Sequence, residues 1–131
     1  MREILFKAKR IDNGEWVEGF LYKQVAIDNQ LHYAIEVISA RVKTYKVDES
    51  TICQYTGLTD RNGNKIWEGD ILVAREPYSP SEKFYLKYDK EVISFIGIYI
   101  GFEKLFHVHK ELLENFEVIG NIFDNKELLE N

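Results

Sequence analysis

The chain has 131 residues, of which 45% are hydrophobic, 14% aromatic and 30% charged, a balance that excludes a disordered chain and fits an ordinary globular domain. Seventeen Lys and Arg against 22 Asp and Glu give a formal net charge of −5, so the molecule as a whole repels phosphate backbones and anionic lipid unless a local basic patch reverses the sign. A single cysteine, Cys53, excludes an intramolecular disulfide, and Met1-Arg2-Glu3-Ile4 opens no secretory signal; together these point to the cytoplasm.

In chain order, Ile4, Phe6 and Ala8 alternate with Leu5, Lys7 and Lys9, the period of two expected of a strand with one face on a core. Asp12-Asn13-Gly14 supplies residues that tolerate positive φ, and Trp16, Glu18, Phe20 and Tyr22 then alternate with Val17, Gly19 and Leu21, which predicts a hairpin. A second turn at Asp28-Asn29-Gln30 precedes a β-prone run over residues 31–47, which Ser39-Ala40 divides into two strands. Asp48-Glu49-Ser50-Thr51 reads as a short helical turn capped by a side-chain oxygen, with strand character returning at Thr51-Ile52. The clearest local signal is Asn62-Gly63 between Tyr55-Thr56-Gly57-Leu58 and Lys65-Ile66-Trp67, a hairpin turn. Gly69 is then expected to redirect the chain into a buried strand, Ile71-Leu72-Val73-Ala74.

Pro77, Ser79, Pro80 and Ser81 mark residues 75–89 as an exposed loop leading into an edge strand, because proline removes a backbone donor. Residues 92–100 are apolar on both faces, which requires burial inside a barrel, under a helix or against another subunit. The uncharged stretch 92–102 is about half of the ~20 residues that a membrane-spanning helix needs, so no membrane partner is expected. One helical turn within residues 109–115 and a strand over 116–123, bent at Gly120-Asn121, come next, and Asp124 with Glu127 forms the capping box of a short terminal helix. The resulting expectation is a mainly β fold, barrel-like antiparallel sheets of SH3-like or pseudobarrel type with a short C-terminal helix. It forms a single domain over residues 1–131, and two β subdomains divided near residue 51 remain an open alternative.

Three groups of residues carry candidate chemistry. Glu68 and Asp70 share a strand face, and with Asp60 across the hairpin they could hold Mg²⁺ as a metal-dependent nuclease does, although Asp and Gly beside turns ordinarily serve the backbone. A calcium loop fails because Gly63 stands fourth from Asp60, not sixth. His107 and His109 are expected to share a strand face, where with Cys53 or His32 as a third ligand they could bind a transition metal, although the spacing is too unspecific to define a site. Arg41, Lys43 and Tyr45 on one strand face, and the basic stretch Lys7, Lys9 and Arg10, could contact nucleic acid, a reading that the net charge ranks below protein binding. Trp67 is either an exposed binding aromatic or, more commonly at such a place, a core anchor. Gly-rich phosphate loops, Gly-x-Ser-x-Gly elbows and Cys-x-x-Cys pairs are missing from the sequence, and neither a metal nor a cofactor is expected.

The order Gln54-Tyr55-Thr56-Gly57-Leu58-Thr59-Asp60, Asn62-Gly63 and Lys65-Ile66-Trp67-Glu68-Gly69-Asp70-Ile71 resembles the central signature of the YopX family of bacteriophage and prophage proteins. Phe116-Glu117-Val118-Ile119-Gly120-Asn121-Ile122-Phe123 is similar to the family's closing segment, and Ile4-Leu5-Phe6-Lys7-Ala8 to its opening, with Lys9 in place of an aromatic and Lys126 in place of a frequent proline. The resemblance implies a small β-rich, barrel-like phage protein and transfers no catalytic residue. The expectation is therefore a noncatalytic module that binds a phage or host protein or assembles with itself. Its candidate binding surface comprises Asp60, Trp67, Glu68 and Asp70 with Arg41, Lys43 and Tyr45.

Overall fold

The computed structural model describes residues 4–25, 27–37, 41–74, 83–101 and 104–130. These residues fall into two compact units, Met1–Tyr55 and Thr56–Asn131. The fold is mainly β and antiparallel, as the alternation predicts.

In the first unit, β1 (Phe6–Lys9) and β2 (Trp16–Val25) form the expected hairpin, and β3 (Leu31–Val37) and β4 (Lys43–Lys46) extend it in the order β4-β3-β2-β1. Gly14 turns the first hairpin at φ +74°, its N–H bonding the Arg10 carbonyl at 3.0 Å. Asn29 supplies the second turn at φ +65°, while Asp28 accepts from the Gln30 N–H at 3.0 Å. The 31–47 run is two strands, and Ser39 and Ala40 lie outside the described residues. Asp48 caps a 3₁₀ turn over Glu49–Thr51, accepting from the Ser50 N–H at 3.0 Å.

The registers Ala8↔Val17, Leu21↔Ile35 and Ile35↔Tyr45 place these residues on one face of the sheet, since directly opposed residues share a face. That face is the core: Ala8, Ile35 and Val47 are buried, with Val17, Leu21 and Val37 packed around them. The opposite face therefore carries Lys7, Lys9, Trp16, Phe20 and Tyr22.

The strand β5 (Cys53–Thr59) begins in the first unit, where Cys53 and Gln54 pair with Lys7 and Phe6, and ends in the second beside β6 (Lys65–Trp67). The other sheet of the second unit contains β7 (Asp70–Ala74), β8 (Lys83–Asp89), β9 (Ser94–Tyr99), β10 (Leu105–His107) and β11 (Phe116–Asn121), in the order β10-β9-β8-β7-β11. A one-turn helix α1 (Lys110–Leu113) precedes β11.

Ile66, Leu72, Phe84, Leu86 and Leu113 form the buried core here. The Phe84 ring packs edge-on against Phe106 and Phe116 at centroid distances of 4.8 and 5.0 Å. A Cβ at Gly97 would collide with the Phe106 ring, so this close approach requires glycine.

Three expectations are corrected. Residues 83–89 are the central strand of the five-stranded sheet, not part of a loop before an edge strand: Phe84 and Leu86, two apart, both reach the core, and the prolines at 77 and 80 lie outside the described residues. Asp124 does not cap the last helix, which is a 3₁₀ turn over Lys126–Leu129 preceded by Asn125; its Oδ2 instead accepts from the Asn121 side-chain amide at 3.2 Å. His107 and His109 do not share a strand, because β10 ends at His107 and His109 opens α1. The two-sided apolar stretch is buried in part, at Phe95, Ile96 and Ile100, while Val92 and Ile93 stand exposed; Phe95, Gly97 and Tyr99 face the core and Ile96 and Ile98 the other side. Phe102 lies outside the described residues.

Candidate functional site

The segment from Thr56 to Asp70 holds most of the sequence-predicted site residues, and its side chains act mainly on the backbone. The 60–64 hairpin is a three-residue loop in which Gly63, at φ +81°, bonds the Asp60 carbonyl through its N–H at 3.0 Å while the Asp60 N–H bonds the Asn64 carbonyl at 2.9 Å. Asp60 is buried at 4% exposure, and its Oδ1 accepts from the Asn62 and Asn64 N–H groups, both at 2.9 Å. Its Oδ2 accepts from the Val118 N–H on β11 at 3.0 Å. Burial disfavours ionisation of this carboxyl, but the main-chain donors from Val118, Asn64 and Asn62 outweigh it and hold the pKa below the ordinary 3.8.

Asp70, equally buried at 4%, accepts from the Trp67 N–H at 2.8 Å, and Glu68 accepts from the Tyr88 N–H at 3.0 Å. Between them Gly69 takes φ +88°, so Glu68-Gly69 is the corner at which the chain leaves β6 for β7. Thr56 belongs to the same scaffold: its hydroxyl donates to the Ile66 carbonyl at 2.7 Å and accepts from the Leu58 N–H at 3.2 Å. Each carboxylate of the proposed metal trio therefore serves a different stretch of main chain. Among the described residues no three His, Cys, Asp or Glu side chains are grouped to hold a metal ion. Trp67 is buried at 5% exposure, a core aromatic and not a surface one. Cys53 is buried too, its thiol donating to the Thr51 carbonyl at 3.3 Å, and His32 lies 3.4 Å from the Asp28 carboxylate.

The basic candidates divide between two faces. Arg41 precedes β4, while Lys43 and Tyr45 lie on the core-side face, where the Arg10 guanidinium stacks 4.2 Å over the Tyr45 ring. Arg10 also pairs with Asp12 at 2.6 Å, and this hydrogen bond holds the Asp12 pKa low. Lys7 and Lys9 point the other way, with Nζ atoms 4.6 and 5.4 Å from the Trp16 ring centroid. Sequence reasoning grouped Lys7, Lys9 and Arg10 as one stretch, and strand alternation separates them.

Two further features were missed. Phe20 and Tyr22 stand 47% and 37% exposed on the Lys7/Lys9 face, and their alternation was readable while the side they faced was not. A cleft of about 560 Å³ opens beside β10, floored by Ile96, Ile98 and Leu105 and rimmed by Lys87, Asp89 and Glu91. It depends on three strands meeting, which no local pattern announces.

The family model described as YopX protein matches residues 5–130. This chain belongs to the YopX family. Among solved structures it is similar to the crystal structure of protein EF1440 from Enterococcus faecalis, at 26% identity and a TM-score of 0.59, covering 99% of this chain and 100% of that one. No curated protein matches. In this YopX chain Thr56, Asp60, Glu68 and Asp70 of the segment that resembles the family's central signature hold main chain, Gly63 and Gly69 turn it, and Tyr55, Ile66 and Trp67 are buried. No helix among the described residues is long and apolar enough to cross a membrane.

Proposed function

We propose that the chain is a noncatalytic interaction module, a phage or prophage accessory protein working in the cytoplasm of the bacterial host. Its partner is a phage protein, a host protein or a second copy of itself. The observation that carries this reading is the coincidence at β10 of an edge strand and a cleft lined in part by Ile96, Ile98 and Leu105. Strand β10 ends the order of its sheet, and Leu105, 58% exposed, lies opposite Ile98 on the face where the cleft opens.

An edge strand presents unpaired N–H and C=O groups, and an extended segment of a partner adds to it while placing alternate side chains into an adjoining pocket. Val92 and Ile93, 49% and 76% exposed in the turn between β8 and β9, enlarge the apolar surface of this unit.

Leu105→Glu introduces a charge on the cleft floor and leaves the core untouched. In affinity capture from phage-bearing cells and in sedimentation velocity, wild type is expected to hold a partner or self-associate at tens of micromolar, roughly where a useful interface forms. The variant should lose that association at an unchanged melting temperature. An association that survives Leu105→Glu, or a wild type that forms none, counts against the reading.

A further inference from the structure

We propose that the outward face of the first unit's sheet binds single-stranded nucleic acid, by stacking bases on Phe20 and Tyr22 and engaging phosphates with Lys7, Lys9 and Lys46. This goes beyond the β10 reading and does not depend on it.

The placement follows from register. Lys9 opposes Trp16 and Lys7 opposes Glu18 across β1 and β2, while Tyr22 opposes Ala34, which in turn opposes Lys46 on β4. All of them share the face turned away from Ala8, Ile35 and Val47. Phe20 and Tyr22 lie two residues apart on one strand, about 6.8 Å along its axis, which leaves two separate ring faces for the bases of an extended strand.

Tyr22 is held in place, its hydroxyl donating to Thr44 Oγ1 at 3.1 Å, and Ala34 beside it is too small to obstruct a ring lying across the sheet. The ammonium groups of Lys7 and Lys9, 4.6 and 5.4 Å from the Trp16 ring, put positive charge next to an aromatic surface, the combination by which stacking grooves follow a phosphate backbone.

The first unit carries no net charge that would repel such a ligand. Residues 1–55 contain eight basic and eight acidic side chains, whereas residues 56–131 contain nine and fourteen, so the whole net charge of −5 belongs to the second unit. On the face itself Glu18 and Glu36 oppose Lys7 and Phe20, and Asp28, whose carboxylate lies 3.4 Å from His32 on the same face, acts on Lys46, so three lysines stand against three carboxylates. That balance leaves stacking as the main source of affinity and fixes the class of ligand. A duplex hides its base faces, offers only phosphates and meets the three carboxylates; a single strand offers both bases and phosphates.

The test is fluorescence anisotropy of the full chain with a labelled oligothymidylate of about 20 nucleotides, longer than one sheet-face site, and with the corresponding duplex. Micromolar binding to the single strand is expected, with a log–log salt slope near −2, as about three phosphate contacts on a single strand would give. Phe20→Ser and Tyr22→Ser should each weaken it by about 5- to 100-fold, the range for losing one stacked base, while Lys7→Ala flattens the salt slope.

Both aromatics are exposed, so the serine variants should keep the wild-type circular dichroism spectrum and melting temperature. Absence of single-strand binding at about 100 μM protein, a range that only very weak complexes escape, overturns the proposal. So does equal affinity for duplex, or undiminished binding by both serine variants. A protein captured through Phe20 and Tyr22 without oligonucleotide binding also overturns it, and leaves the Leu105 experiment to decide the β10 reading separately.

Discussion

The two units are both antiparallel β, and they use their aromatic residues in opposite ways. In the second, Phe84 is fully buried and surrounded by Tyr99, Phe106 and Phe116, the last two at 4.8 and 5.0 Å. In the first, the buried core is built on Ala8, Ile35 and Val47, while Phe20 and Tyr22 stand exposed on the other face of the sheet. A large ring removed from water stabilises by its buried area, whereas a ring left in water offers that same area to a ligand. The contrast separates a unit whose aromatics hold the fold from one whose aromatics are presented to solvent.

The strongest way to break this comparison is Phe84→Ala. Emptying the centre of an edge-to-face cluster should cost about 3–5 kcal/mol, read from the denaturant midpoint. A loss much smaller than that of Ile35→Ala would refute the assignment of the larger aromatic core to the second unit.

Next in size is Asp60→Ala, which leaves the Asn62, Asn64 and Val118 N–H groups without their acceptor and should cost on the order of 2–3 kcal/mol. The pH dependence has a definite sign. Because the folded-state pKa of Asp60 is lowered, the unfolded chain takes up the proton first as pH falls. Its contribution is thus complete above the ordinary value of 3.8 and disappears as pH drops through the lower folded value. Wild type should lose stability over that acidic interval and Asp60→Asn should lose less, as followed by melting temperature against pH.

A smaller effect sharpens the comparison by being equal in the two units. Gly14 and Gly63 have φ of +74° and +81°, and a Cβ at either meets no atom within 4 Å. Valine at each position should therefore cost about 1–2 kcal/mol from backbone conformation alone. A clear inequality between Gly14→Val and Gly63→Val in chemical denaturation would show that one of these turns is stabilised by something besides its glycine.

The smallest expected change is in Phe20→Ser with Tyr22→Ser, within about 0.5 kcal/mol of wild type as surface substitutions are. A loss of core size would place these rings inside the fold. Millimolar Mg²⁺ should likewise leave the melting temperature unchanged, since Asp60, Glu68 and Asp70 serve three different stretches of backbone.

Much of the fold was legible because it is written in local chemistry. Alternation over residues 4–9 and 16–22 specifies strands through the two-residue period of the pleat. Asp12-Asn13-Gly14, Asp28-Asn29-Gln30 and Asn62-Gly63 specify turns because glycine and asparagine accept positive φ, as Gly14, Asn29 and Gly63 do. The segment that resembles the family's central signature mixes both ranges: Asp60 and Asp70 bond main chain two to four residues away, whereas Glu68 reaches Tyr88 and Asp60 also reaches Val118.

Tertiary structure alone decided which way each strand faced. On β2 each alternating set carries apolar residues, Val17 and Leu21 in one and the larger Trp16, Phe20 and Tyr22, with Glu18, in the other, so apolar bulk alone does not choose the buried set. Ala8 opposing Val17 and Lys9 opposing Trp16 settle it, because a β1 face with two lysines cannot be buried as cheaply as one with Phe6 and Ala8. The same dependence on pairing placed residues 83–89 at the centre of a sheet, where each neighbour satisfies a backbone that no local sequence can satisfy by itself.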